Sequence, residues 1–495
     1  MSTSVQTGTI RTKIPARMDR LPWSRFHWSI IIGLGTVWIL DGLEVTIVGA
    51  ISGELSKHGS GVAIASHNVS GLAGSLYVAG ACAGALVFGQ LTDRFGRKKL
   101  FMITLGVYLL GTCLTALSFS AIWFYGCRTL TGFGIGGEYS AINSAIDELI
   151  PARQRGRVDI SINGSYWAGS AIGGLVALVA LNDLAVNVGW RVCFGLGAVL
   201  ALLILLVRRN VPESPRWLFI HGREEEAERI VGEIEQRVEH ETGERLPDVS
   251  DTMTVRQRTT IPLPLIIRTI VSLYPKRTVL GLGLFVGQAF LYNAMVFNLG
   301  GLMTQFFHVS PGNVPYFSVY FAIGNLIGPL ALAPLFDTVG RRIMIGGCYL
   351  ISAGMCVVIA LLFVGHQLTG TTFILLLDVA FFFASAGASG AYLTVSEVFP
   401  METRALCIAV FYAIGTGLGG IIGPLLFASL INSGKASQVE VAFLIGAVVM
   451  AIGGVFEFVL GVDAERQTLE NIAKPLTAED TPAQRGGGTP LAATT

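Results

Sequence analysis

The sequence predicts an all-α membrane protein of about twelve transmembrane helices in two homologous six-helix halves, and three observations predict it. Hydrophobic residues make up 52% of the 495 positions and charged residues only 14%, with a mean hydropathy of +0.63. A soluble domain carries about 25% charged residues, so a soluble reading fails. The apolar residues gather into runs of roughly 20, the length an α-helix needs to cross a hydrocarbon core. A charged cassette also occurs twice, about half a chain apart, each time at the end of an apolar run. The first copy is Asp93-Arg94-Phe95-Gly96-Arg97 with Glu148-x-x-Pro151-x-x-x-Arg155-Gly156; the second is Asp337-Thr338-Val339-Gly340-Arg341 with Glu397-x-x-Pro400-x-x-x-Arg404-Ala405. Self-similarity at such a period marks an internal repeat, and repeated membrane halves are how many secondary transporters are built.

In chain order the spans are expected at 26–52, 68–91, 100–118, 122–146, 158–181 and 191–207, then at 278–303, 314–335, 343–364, 372–394, 405–431 and 441–460. Basic residues orient them, because Lys and Arg in short loops stay on the cytoplasmic side. The leader with Arg11, Lys13, Arg17, Arg20 and Arg25, and the loops with Arg97-Lys98-Lys99, Arg153 to Arg157, Arg208-Arg209, Arg341-Arg342 and Arg404, all fall on one side. Both termini are therefore expected in the cytoplasm, with no cleavable signal peptide, in a membrane of the bacterial cytoplasmic (inner) type. The chain divides into a leader (1–25), a first bundle (26–209), a cytoplasmic linker (210–276), a second bundle (277–461) and a tail (462–495). In the linker, Ile230, Val231, Ile234 and Val238 share one side of a charged helix that begins near Arg223. Beyond Ile472 the chain drifts into Thr, Ala, Gly and Pro and is expected to be disordered. The seven cysteines show no metal spacing and read as free core thiols. A formal net charge of +1 argues against nucleic acid as a partner.

With Gly89-x-x-x-Asp93-Arg94-x-Gly96-Arg97-Lys98 after the second span, the chain resembles the major facilitator superfamily from its first span to Glu470. Within it the chain is similar to the sugar porters and their metabolite-proton symporter relatives. The shared motifs are Arg128-x-x-x-Gly132-x-Gly134, Gly189-Trp190-Arg191, Pro212-Glu213-Ser214-Pro215-Arg216-Trp217-Leu218 and Thr468-Leu469-Glu470. The resemblance implies a major facilitator fold and proton-coupled symport of a small organic solute: a carboxylated or aromatic metabolite, or a sugar. It implies no enzyme activity, no cofactor and no metal, and a monomer whose partners are the solute, protons and the bilayer. A proton-driven efflux antiporter uses the same fold and acids; a nutrient receptor that binds without transporting is the reading from another class.

The resemblance also carries over roles. Glu44 and Arg128 match the acid and arginine that form the proton site of sugar porters, against the plainer reading of a permanent structural ion pair. Asp41, one turn from Glu44, is either a second proton carrier or a hydrogen-bonding helix residue. Of the sugar-binding positions, Gln288 and Asn293 survive in the seventh span, Asn163 stands for a Gln, Tyr392 for a stacking Trp and Gly415 for a Gln. Fewer amides than a hexose needs leave sugar hydroxyls unpaired at about 1 to 3 kcal/mol each, which favours a carboxylated or aromatic solute that approaches Arg128. Glu138 lines either the cytoplasmic half of the cavity or the inner charge network, Asn298 and Asn325 read as helix-to-helix glue, and Tyr166 with Trp167 could pack on a ring-shaped solute. Asp93, Arg94, Arg97, Glu148, Arg157, Glu213 and Arg216, with Asp337, Arg341, Glu397 and Arg404, read as a cytoplasmic gate of ion pairs made in one state and broken in the other.

Overall fold

The computed structural model describes residues 6–208, 213–250, 252–258, 263–400, 404–465, 467 and 472–473. The Thr468-Leu469-Glu470 motif and the tail beyond residue 473 lie outside the described residues, as do the side chains of Asp93, Glu148 and Arg404. The first half holds α1 (Arg25–Leu55), α2 (Gly74–Phe95, entered through a π turn at Val69–Ala73), α3 (Arg97–Ala116) and α4 (Ala121–Leu149). It closes with α5, in two pieces (Arg155–Gly164 and Tyr166–Asp183), and α6 (Val186–Arg208). The second half holds α7 (Pro275–Phe306), α8 (Val314–Thr338), α9 (Arg341–Val364) and α10 (Gly370–Val398). It closes with α11, split by a π turn at Tyr412–Thr416 into Arg404–Phe411 and Gly417–Asn432, and α12 (Ala436–Leu460).

Among the described residues, eleven helices are long and apolar enough to cross a membrane. The twelfth, α4, carries Arg128 and Glu138 inside its length. The expected architecture of about twelve spans in two halves is the one found. Two local differences have simple causes. The sixth helix starts at Val186 rather than at Arg191, because Trp190 turns inward and its indole N–H donates to the Ser60 carbonyl at 3.0 Å. The fifth breaks at Ser165, whose hydroxyl sits 2.6 Å from the Ile162 carbonyl and 3.2 Å from that of Gly35 on α1.

Close approach of α2 and α4 sets up the centre of the first half. A Cβ at Gly80 or Gly84 would lie about 2 Å from the Thr129 or Phe133 carbonyl oxygen, and one at Gly132 or Gly136 would strike those of Tyr77 or Ala81. Small residues at such crossings let two backbones touch in a bilayer, and here the crossing lays Arg128 against Tyr77. The two cassettes fold alike. Gly96 and Gly340 cap α3 and α9 at φ +95° and +112°, a region that favours glycine. At the first of these ends the Glu213 carboxylate accepts from the backbone N–H groups of Arg97 (3.0 Å) and Lys98 (3.1 Å), satisfying donors that a helix start leaves free. At the second, the acid beside Gly340 is Glu465.

The leader and linker pack together on one face of the bundle, the linker face. A strand at Gln6–Thr12 pairs antiparallel with one at Met253–Arg258, with Ile10 opposite Val255. A short helix, Ile14–Asp19, docks on the helix Glu224–Thr242, which buries Ile230, Val231, Ile234 and Val238. Arg17 pairs with Glu235 at 2.5 Å and also with Glu228, and Arg20 pairs with Glu235. Burial pushes the Glu235 carboxyl up, but hydrogen bonds from Arg17 and Arg20 outweigh it and hold the group below its ordinary value; Glu235, then Glu228, hold the Arg17 guanidinium above its own.

Candidate functional site

Between the halves lies a cavity of about 110 Å³ whose wall is largely aromatic. From the first half come Trp38 on α1, Tyr77 on α2, Tyr139 on α4, and Tyr166 and Trp167 on α5; from the second, Tyr292, Tyr392 and Tyr412. Trp38 stacks on Tyr139 with centroids 4.9 Å apart and planes at 25°, and its edge meets Tyr392 at 5.8 Å. Tyr139 in turn lies 4.7 Å from Tyr412. The polar part of the wall is uncharged: Asn163, Gln288, Asn293, Ser385, Ser389 and Thr416. Among the described residues no Lys, Arg, Asp or Glu lines it.

The charges sit one residue behind that wall. Arg128 Nη1 donates to Glu44 Oε1 at 2.6 Å, and neither side chain is exposed. The guanidinium lies 4.5 Å from the Tyr77 ring centroid and 5.6 Å from that of Phe194, a cation held between two π faces. Asp41, equally buried, accepts from the Tyr77 hydroxyl on Oδ1 at 2.8 Å and from the Tyr139 hydroxyl on Oδ2. Tyr77 therefore touches the cavity, the acid and the arginine at once. A change in the cavity that moves Tyr77 or Tyr139 also changes the hydrogen bonding of Asp41.

The predicted residues distribute as follows. Asn163, Gln288, Asn293 and Tyr392 lie on the cavity wall, as do Tyr166 and Trp167. Asn298 donates to the Pro424 carbonyl at 3.2 Å and so ties α7 to α11, while Asn325 accepts from the Tyr292 hydroxyl and orients it. Two readings are corrected. Glu138 is fully buried but is not on the wall. Tyr139, eleven residues from Arg128 and so about three turns of 3.6 residues, shares its helical face, whereas ten residues rotate Glu138 aside. Arg128 is sealed behind Tyr77 and committed to Glu44, so a solute carboxylate in the cavity does not reach it. The sequence reading also missed Trp38, Tyr77 and Tyr412. Trp38 stands one turn before Asp41 on α1, which was the available signal; Tyr77 and Tyr412 carry none in sequence.

The halves touch on either side of the cavity. On the linker face Arg155 of α5 reaches Glu397 of α10 at 3.8 Å, Arg341 of α9 meets the same carboxylate at 2.8 Å, and Arg341 lies 3.4 Å from Asp337. Asp19 of the leader stands 3.5 Å from both Arg155 and Arg216. Here too the reading is corrected. Arg157 meets Asp337 only through its backbone N–H, at 2.8 Å, and its exposed side chain turns away. Two residues along a helix are about 200° apart, so only one of Arg155 and Arg157 can face Glu397. Arg94 is exposed, lying over the Phe95 ring, and makes no ion pair among the described residues. On the opposite face, a Cβ at Gly49 of α1 would lie 2.3 Å from the Val296 carbonyl of α7, and the Ser75 hydroxyl of α2 donates to the Ile421 carbonyl of α11 at 2.9 Å. The halves thus meet on both sides of the cavity.

Comparison with known proteins agrees with this architecture. The family model described as sugar (and other) transporter matches residues 28–475. The niacin transporter NiaP of Acinetobacter baylyi is 26% identical over 459 residues, covering 92% of this chain and 99% of the relative. Organic cation/carnitine transporter 7 of Arabidopsis thaliana is 24% identical, covering 90% and 94%. Among solved structures, the proton:xylose symporter XylE bound to 6-bromo-6-deoxy-D-glucose superposes with a TM-score of 0.72 at 19% identity, over 90% of this chain and 98% of that one. The inward-open conformation of XylE from E. coli gives 0.62, also at 19% identity, over 90% and 98%.

Proposed function

Because the chain belongs to the sugar (and other) transporter family of the major facilitator superfamily, and is thus an integral membrane secondary transporter of small organic solutes rather than an enzyme, we propose that it carries a small aromatic metabolite inward together with a proton. The observation that carries this reading is the aromatic wall, with Asp41 and the Glu44–Arg128 pair directly behind it. Offset and edge-to-face ring contacts add about 0.5 to 1.5 kcal/mol each beyond burial, so a flat ring gains where a hexose, short of amide partners, does not. The ring stacks among Trp38, Tyr139 and Tyr392, and its polar substituent meets Asn163, Gln288 and Asn293. With no cation in the wall, a carboxylated member of this class, such as the niacin named for the relative, is held by amides and phenols and enters charge-balanced by its proton.

Glu44 is the proton carrier in this reading, Arg128 sets its affinity, and Asp41 reports cavity occupancy through Tyr77 and Tyr139. Arg155, Arg216, Asp337, Arg341 and Glu397 form the gate on the linker face, with Arg97 and Glu213 at the start of α3. That face is cytoplasmic because it gathers the basic loops, in a bacterial cytoplasmic membrane. The transporter acts as a monomer, since one chain supplies the whole cavity wall. The test is a thermal-shift and binding panel of nicotinate, nicotinamide, benzoate, glucose and xylose on purified protein. The aromatic compounds should bind at least tenfold more tightly than the sugars, about 1.4 kcal/mol; stabilisation by the sugars alone overturns the reading.

A further inference from the structure

A second hollow, a groove of about 700 Å³, opens in the side of the bundle between α1, α5 and α8, away from the central cavity. Its floor is apolar, with Ile31, Ile32, Ile39, Val158 and Ile162 from the first half and Leu330 from the second. From Trp28 to Ile39 it follows α1 for about 16 Å at 1.5 Å per residue, close to one leaflet's half of a hydrocarbon core of about 30 Å. Its polar end lies at the linker face, where Gln154 and Arg157 line it beside Trp23 and Trp28. Trp28 is 54% exposed, and indole rings settle at the headgroup level of a bilayer.

Arg157 gives the groove a sign. Its backbone N–H is spent on Asp337, while its exposed guanidinium makes no ion pair among the described residues. Arg155, Arg216 and Arg341 of the charge cluster above, by contrast, each have a carboxylate within 4 Å. A shallower depression shares Trp23 and Trp28 with the groove and brings Arg25 to the same end; the Glu241 it also contains is paired with Arg237 at 3.1 Å. A cation at the mouth of an apolar trough one leaflet deep matches a phosphate attached to an acyl chain rather than a soluble anion.

We propose that this groove binds an anionic glycerophospholipid from the leaflet on the linker side, with one acyl chain along α1 in the seam between the halves and its phosphate on Arg157. The test reconstitutes the full chain into phosphatidylcholine vesicles carrying either phosphatidylglycerol or phosphatidylcholine brominated on the acyl chains, which quench nearby indoles. Brominated phosphatidylglycerol should quench at about fivefold lower mole fraction, the preference one arginine near an anionic lipid supplies. The preference should vanish in the Trp23→Phe/Trp28→Phe variant, which removes the reporters, fall in Arg157→Ala and persist in Arg157→Lys. Equal quenching by the two brominated lipids in the unaltered protein overturns the proposal and leaves ordinary annular contact; because that comparison needs no variant, it decides even if Arg157→Ala does not assemble. A preference undiminished in Arg157→Ala overturns it as well.

Discussion

Arg128 lies beneath Tyr77, its guanidinium carbon 4.5 Å from the ring centroid, while the same tyrosine's hydroxyl donates to Asp41 at 2.8 Å. One side chain thus joins the solute cavity to both acids of α1, which is the physical basis for coupling solute to proton in the proposed cycle.

Glu44→Gln mimics the protonated acid permanently. Proton-driven accumulation in proteoliposomes should be lost, while solute exchange down its own gradient continues. Ordinary gradient-driven accumulation by this variant would move the carrier role to Asp41.

Glu397 is the carboxylate that Arg155 approaches across the seam and that Arg341 meets from within its own half. Leaving a buried charge without its partner costs about 3 to 5 kcal/mol, so Glu397→Gln should favour the state open on the linker face. Spin labels at the linker ends of α5 and α10 should report longer distances; an unchanged distribution would reduce the cluster to packing.

Trp38 contributes a stacked and an edge contact to the cavity wall. At about 0.5 to 1.5 kcal/mol per ring contact, Trp38→Ala should weaken binding of an aromatic solute roughly twofold to tenfold or more. Isothermal titration checks this, and the loss should be smaller for any non-aromatic solute that binds.

The clasp between the leader and the linker helix should respond to acid. Arg17 and Arg20 hold the Glu235 carboxyl below its ordinary 4.5, and a group depressed on folding contributes stability that is full above its unfolded value and lost as pH falls through the lower folded one. The protection factors of the amides over Ile14–Asp19, their exchange rates referred to the intrinsic rate at each pH, should therefore be high at neutral pH and fall on acidification below about 4.5. In Glu235→Gln they should already be low at neutral pH, because the carboxylate is gone.

The fold was legible because its signals are additive: long apolar runs, basic loops on one side and a cassette read twice. The Glu44–Arg128 pair was legible because ionisable residues inside spans are few and each asks for a partner. The aromatic wall was not, since a tyrosine or tryptophan in an apolar run looks the same whether it faces lipid, core or cavity. Tyr77 and Tyr412 become informative only once α2 and α11 converge. The exchange of Arg157 for Arg155 had a readable cue in the repeat, where Arg155 rather than Arg157 corresponds to Arg404.

The π turns at Val69–Ala73 and Tyr412–Thr416 each hold one residue more than the α turn they replace. They are accordingly the places where these two helices can absorb a change in length. Removing one residue within Val69–Ala73 regularises the turn and leaves Tyr77 facing Asp41. Removing one between that turn and Tyr77 rotates the tyrosine by about 100° relative to the chain before it. Single-residue gaps among related sequences should therefore collect at these two turns, and a deletion scan of α2 should find its tolerated positions there.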